Sequence, residues 1–233
     1  MPNLTLAPSE APASTYDWIE GEILSGRLAP GSRIDLKGVA GDRAVPAAEV
    51  REAALRLASE GLASLEEGTI LRVTPVSLAD LKDLTASRIV IETEMLRQSI
   101  AAGDAAWADG VRAAFERLAA VEPLLADNPR DFLDDWERCN QGFHAALVAA
   151  CPLRRLMRVN ERLYKQHQRY RRLSLLGRAS PRDVHAEHLA LYEAALARDP
   201  DRAAAVLADH IGCTVDQLAN GIRDGSWFGL PSG

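Results

Sequence analysis

Four side chains able to donate a lone pair stand at spacings that let them share one ligand. Asn140 and His144 are four residues apart within a stretch of helical periodicity, so both project from one face about one turn from each other. His188 and His210 fall in two further helical segments set off by prolines, and a helical bundle can direct all four inward to one point. His185, three residues before His188, could substitute for it or support it from behind, whereas His167 reads as an ordinary histidine. No nucleophile and base pair accompanies these imidazoles, which argues for binding rather than turnover.

Cations accompany them. Arg88 could clamp a carboxylate through two parallel N–H bonds, or it could pair with Glu92 or Glu94, and the spacing suits both. Between Pro152 and Arg182 stand ten basic residues and a single acidic one, Glu161. That bias has three readings: a solvated bundle face, a pocket lining in which Tyr164 and Tyr170 join the arginines around an anionic effector, or a face turned toward DNA.

The elements that must hold these residues are helical. From Ser77, a serine N-cap, apolar periodicity predicts helices over about 77–102, 104–126, 129–150, 152–177, 181–198 and 200–223. Gly103, Asn128-Pro129, Cys151-Pro152, Ser180-Pro181 and Asp199-Pro200 separate them. Six helices of this length imply an antiparallel bundle. Ahead of it the pattern is different and shorter: a helix from about Tyr16 that stops at Gly26, a second over Leu36–Asp42, and a third over 47–60 closed by Gly61. Two β-prone pieces follow, 62–65 and 69–73, separated by Glu66-Glu67-Gly68, which reads as a hairpin. The expected fold is therefore mainly α: a winged helix-turn-helix over 14–75 and an all-helical unit over 77–224. Residues 1–13 and 225–233 are expected to be a disordered lead-in and a flexible tail.

Composition restricts the function classes. Of 233 residues 47% are hydrophobic and 26% charged, with no apolar run of spanning length and no leader pattern at the N-terminus, so a cytoplasmic protein without membrane contact is expected. Three widely spaced cysteines, Cys139, Cys151 and Cys213, read as reduced thiols rather than a disulfide framework or thiolate zinc site. The net charge of -6 argues against indiscriminate polyanion binding, and residues 1–75 carry seven basic against eleven acidic side chains.

The segments Ile23-Leu24-Ser25-Gly26-Arg27-Leu28-Ala29-Pro30-Gly31 and Val50-Arg51-Glu52-Ala53-Ala54-Leu55-Arg56-Leu57-Ala58-Ser59-Glu60-Gly61-Leu62 resemble the turn after the first helix and the recognition helix of the GntR family of regulators. Phe143-His144-Ala145-Ala146-Leu147, Glu187-His188 and Leu207-Ala208-Asp209-His210-Ile211 resemble the histidine segments of its FadR C-terminal (FCD) branch, with six helices as in the VanR-like group. The resemblance implies a dimeric, effector-responsive regulator, expected to repress, that binds operator DNA and a small carboxylate. It implies a divalent metal, zinc or nickel, on Asn140, His144, His188 and His210, with Asn140 where many relatives have Asp, and an effector role for Arg88. In the head it makes Arg51 the foremost DNA contact, with Arg33, Arg43, Arg56 and Arg72 as helpers. Ala47 replaces the usual base-reading arginine, Glu49 is expected to face phosphate, and the wing carries Glu66-Glu67 where basic residues are usual. Arg51 and Arg56 can also be read as ordinary solvated charges. A second function stays open beside the first, a metalloenzyme or metabolite-binding protein whose head no longer reads DNA.

Overall fold

Helix signals and turn signals divide the chain cleanly at Pro75. The computed structural model describes residues 14–176 and 182–223, and the chain falls into two units, one ending at Pro75 and the other beginning at Val76. The expected lead-in 1–13 and tail 225–233, together with Arg178, lie outside the described residues.

In the first unit, Ser14 caps α1 (Thr15–Leu24) by accepting a hydrogen bond from the Asp17 N–H. Asp35 caps α2 (Leu36–Asp42) in the same way through Lys37 and Gly38. The stripe Val50, Ala53, Ala54 and Leu57 of α3 (Ala47–Ser59) is buried against Ile19 and Ile23 of α1 and against Leu62, Leu71 and Val73. Strands β2 (Ala63–Glu66) and β3 (Ile70–Val73) pair antiparallel with Leu65 opposite Leu71. Their three-residue connection, Glu67-Gly68-Thr69, bends through Glu67 at φ +51° and Gly68 at φ +71°, the left-handed central residues of a β-turn closed by the Thr69 N–H on the Glu66 carbonyl. The sheet has a third strand, β1 (Arg33–Asp35), on the other edge of β3. Sequence patterning does not announce β1, because only Ile34 of its three residues packs on the core and the strand is specified by its pairing.

The second unit is a six-helix bundle of α4 (Leu78–Ala102), α5 (Ala105–Asp127), α6 (Pro129–Leu147), α7 (Arg154–Leu176), α8 (Val184–Leu196) and α9 (Pro200–Arg223). Ser77 caps α4 through the Asp80 N–H. The α4–α5 corner is tight enough that a Cβ at Gly103 would lie 2.6 Å from the Trp107 ring. Arg198 closes the same corner by donating to the carbonyls of Ile100 and Gly103 at 2.7 and 2.8 Å. α5 packs mainly on α6 and α4 on α9, around Leu96, Val111, Leu118, Trp136, Phe143, Leu147, Leu191 and Leu207. α6 ends three residues before the expected position, since Cys151-Pro152 disfavours helix and the Ala150 N–H turns to the Ser99 hydroxyl. Cys139, Cys151 and Cys213 are free thiols, and no described helix is long and apolar enough to cross a membrane.

Candidate metal centre

Three helices deliver the histidines to one place. α6 presents Asn140 and His144 one turn apart, α8 presents His188 and α9 presents His210. The ligand nitrogens of His144, His188 and His210 all lie within 4.8 Å of one another. His188 is fully buried and His144 nearly so, while His210 is only slightly exposed. Ring centroids are 4.7 Å apart for His188 and His210 and 5.2 Å for His144 and His210, too close for more than one of the rings to be cationic without a countercharge.

Carboxylates orient two of these rings from behind. His188 Nδ1 lies 2.6 Å from Glu122 Oε1, and His210 Nδ1 lies 2.7 Å from Glu187 Oε2. A carboxylate needs a donor there, so Nδ1 carries the proton and Nε2 keeps its lone pair. Glu187 is itself held by both ends of the Arg182 guanidinium, and Arg182 also donates to the His210 carbonyl at 2.8 Å. Glu122 binds His185 as well, at 2.6 Å, so His185 stands behind His188 and is not a member of the triad. Burial holds the His144, His188 and His210 side chains below the usual imidazole range. Neighbouring cationic charge adds to this for His144 and His210, whereas Glu122 partly offsets it for His188.

The residues fit a divalent metal ion. His188 Nε2 and Asn140 Oδ1 are buried without a hydrogen-bond partner among the described residues, although Asn140 Nδ2 donates to the Tyr164 hydroxyl at 2.8 Å. A buried lone pair left unbonded costs about 1–3 kcal/mol, and a cation relieves that cost. Three neutral imidazoles and an amide oxygen are a donor set suited to zinc or nickel, with room for a further ligand.

Beside the triad lies a recess, partly open to solvent, that shares His144 and His210 with it. Arg88, Arg171, Arg182, Trp136 and His167 are on its wall. Arg88 answers both readings of its sequence position. It lines the recess, and it is paired in the interior with Glu92 at 2.6 Å through Nε alone. Arg171 makes a two-pronged bond to Glu137, at 3.1 and 2.5 Å, and reaches the Tyr164 hydroxyl at 3.2 Å. Tyr164 thus bridges Asn140 to Arg171 just behind the wall. Tyr170 is elsewhere: its hydroxyl donates to Asp80 at 2.5 Å and accepts from the Ser77 N–H, within an apolar cluster of Val76, Leu81, Leu84 and Leu218. The basic stretch divides along its length. Arg154, Arg155, Arg158 and Arg162 are exposed, as a solvated face would be, whereas Arg169 and Arg171 are buried.

His167, which reads as ordinary in the sequence, is 2% exposed and is on the recess wall. The available signal was the spacing of Tyr164, His167, Arg171 and Ser174, a polar stripe along one face of α7. Glu122 and Glu137, which bond His188 and Arg171, were not singled out, and Glu187 was named only beside His188, because carboxylates on helices are common and only tertiary packing pairs them with a histidine or arginine.

In the head, the five candidate arginines differ in what they already hold. Arg33 and Arg72 both pair with Glu66, at 2.9 and 3.4 Å. Arg56 pairs with Glu60 and lies 3.6 Å over the Tyr16 ring, and Arg43 lies 4.4 Å over Trp18. Among the described residues Arg51, exposed on α3, makes no ion pair or ring contact. Glu49, expected to face phosphate, is exposed and accepts a hydrogen bond from Thr15 of α1.

A winged helix-turn-helix followed by a bundle that gathers histidines beside a cationic recess defines a ligand-responsive, DNA-binding transcription regulator. The model of the FCD domain matches residues 83–212. The chain is 38% identical over 202 residues to the HTH-type transcriptional regulator BphR of Paraburkholderia xenovorans (strain LB400), covering 87% of this chain and 82% of that one. It is 30% identical over 200 residues to the HTH-type transcriptional repressor GlaR of Escherichia coli (strain K12), covering 84% and 90%. A transcriptional regulator GntR from Rhodococcus sp. RHA1 has the same fold at 19% identity, with a TM-score of 0.67 over 88% of this chain and 95% of that one. The chain belongs to the GntR-type transcription regulators that carry an FCD domain.

Proposed function

We propose that the helical unit binds one divalent metal through His144, His188, His210 and Asn140, and that a small organic acid docks beside it against Arg88 and Arg171. The observation that carries this reading is the convergence of three neutral imidazoles on the edge of a recess walled by guanidinium groups. The metal, zinc or nickel by its donor set, would supply a positive centre with an open position for an effector oxygen. The protein's own residues do the rest: Glu122 and Glu187 fix the ring orientations, and Arg88 offers its two terminal nitrogens to a carboxylate. The head would dock on operator DNA through α3, with Arg51 foremost. Homodimers are expected, because paired heads read half-sites a helical turn or its multiples apart. Repression and a cytoplasmic location suit a relative of the repressor GlaR that works on DNA. Relatives that are regulators favour a protein that binds its ligand without turning it over. The effector acts only through a difference in its affinity for two arrangements of the dimer.

The test is elemental analysis of the purified protein with a thermal-shift screen of organic acids. About one divalent ion per chain is expected, its content should fall at least tenfold in His188→Ala, and an acid should raise the melting temperature of the metal-loaded protein. Unchanged metal content in His144→Ala and His188→Ala would remove the site.

A further inference from the structure

The recess wall holds polar groups that neither the fold nor the triad uses. His167 is 2% exposed, and among the described residues neither its Nδ1 nor its Nε2 has a partner. Trp136, also 2% exposed and also on the wall, has an indole N–H with no partner. Leaving a buried donor or acceptor unbonded costs about 1–3 kcal/mol, so a recess lined by two residues that carry three such atoms is a place where a ligand group would relieve that cost.

The neighbours of His167 decide what that ligand must offer. A carboxylate will go to the cationic groups, and these are Arg88, Arg171 and Arg182. His167 differs from them, since burial, reinforced by Arg88 and Arg171, keeps its ring neutral. A neutral imidazole donates at one nitrogen and accepts at the other. The accepting nitrogen needs a hydrogen from the ligand. An ionised carboxylate has none, and an ammonium group is repelled by three guanidinium groups. A hydroxyl is the smallest uncharged group that can donate to one imidazole nitrogen while accepting from the indole N–H.

Resting on the effector reading above, we infer that His167, together with Trp136, binds a hydroxyl group of the effector, which is therefore a hydroxylated carboxylate and not a plain one. His167 is then a specificity residue that touches ligand, on a helix that contributes nothing to the triad.

Titration calorimetry on zinc-loaded protein with two matched pairs of acids, malate against succinate and lactate against propionate, tests this. In the wild type the hydroxy member of at least one pair should bind at least about tenfold more tightly than its deoxy partner, because a site built around a hydroxyl leaves buried groups unbonded when the hydroxyl is missing. His167→Leu should abolish that ratio while leaving the affinity for the deoxy acid within about threefold. His167→Gln, which keeps a donor and an acceptor, should retain part of it. Equal affinity for both members of both pairs in the wild type would mean that ordered water serves these nitrogens, and would overturn the inference while the effector reading stands. A ratio that survives in His167→Leu overturns it too. Binding of no acid from either pair removes the effector reading along with it.

Discussion

At the scale of single residues, the chain tolerates conformational and polar strain at identifiable positions. Ala44 adopts φ +52° just after α2, where its N–H bonds the Gly41 carbonyl and the Val45 N–H bonds the Ala40 carbonyl. This is the left-handed position that ends many helices and that glycine occupies without a Cβ penalty of about 1–2 kcal/mol. Glycine also gives back about 0.4–1 kcal/mol through the greater freedom of the unfolded chain. The first effect is the larger, so Ala44→Gly should stabilise the protein by about 0.5–1 kcal/mol, read as a higher urea midpoint. A lower midpoint would mean that Ala44 is not held in this conformation in solution. His167 is strained in a different sense, through nitrogens that have no partner among the described residues, a cost that a bound ligand group would relieve.

At the scale of elements, the wing illustrates competition between internal pairing and an external partner. Glu66 on β2 holds Arg33 of β1 and Arg72 of β3, but these are exposed pairs, each worth well under 1 kcal/mol. DNA phosphate can displace Glu66 at little cost, yet its negative charge still opposes the approach of a duplex. In a mobility-shift assay with the DNA upstream of the protein's own reading frame at low salt, Glu66→Gln should tighten binding about three- to tenfold. Arg51→Ala, which removes the α3 cation without an internal partner, should weaken it at least tenfold. Equal binding by all three proteins would show that α3 and the wing do not meet the duplex. How much of this was legible beforehand depends on whether an element is specified by its own periodicity. The helix ranges followed from apolar spacing and, for α4, from Ser77 as a cap, and the histidine triad from His144, His188 and His210 at their places in the helical segments. Strand β1 and the burial of the polar stripe of α7 were not legible: Arg33–Asp35 becomes a strand only by pairing with β3, and the burial of His167 comes from tertiary packing, α4 and α9 both lying against α7. Likewise Arg56 and Glu49 carry the charges expected of a DNA surface and stay exposed, while also touching Tyr16 and Thr15 of α1.

At the scale of the whole molecule, the same burial that keeps the imidazoles of the proposed metal centre neutral sets a pH limit on the fold. His144, His167, His188 and His210 are all held below the ordinary imidazole value of 6.5, in each case chiefly by burial. In the unfolded chain the four rings take up protons as the pH falls through about 6.5, whereas the folded chain resists protonation until a lower pH. The unfolded state therefore binds more protons in that window, and stability rises with pH: it is fully present above about 6.5 and declines below it until the folded rings also protonate. Each ring contributes up to about 1.4 kcal/mol per pH unit there. Metal-free protein should accordingly show a flat urea midpoint from pH 8 to 7 and a steep fall from 6.5 to 5. His167→Leu should lessen that fall by about a quarter, since one of the four rings no longer takes up its proton on unfolding. Metal should raise the midpoint most at neutral pH and progressively less on acidification, because protons and metal compete for the same nitrogens. A midpoint that stays level down to pH 5 in the metal-free protein would show that the rings are solvated and free to charge, and with that the neutral donor set on which the metal centre depends would be lost.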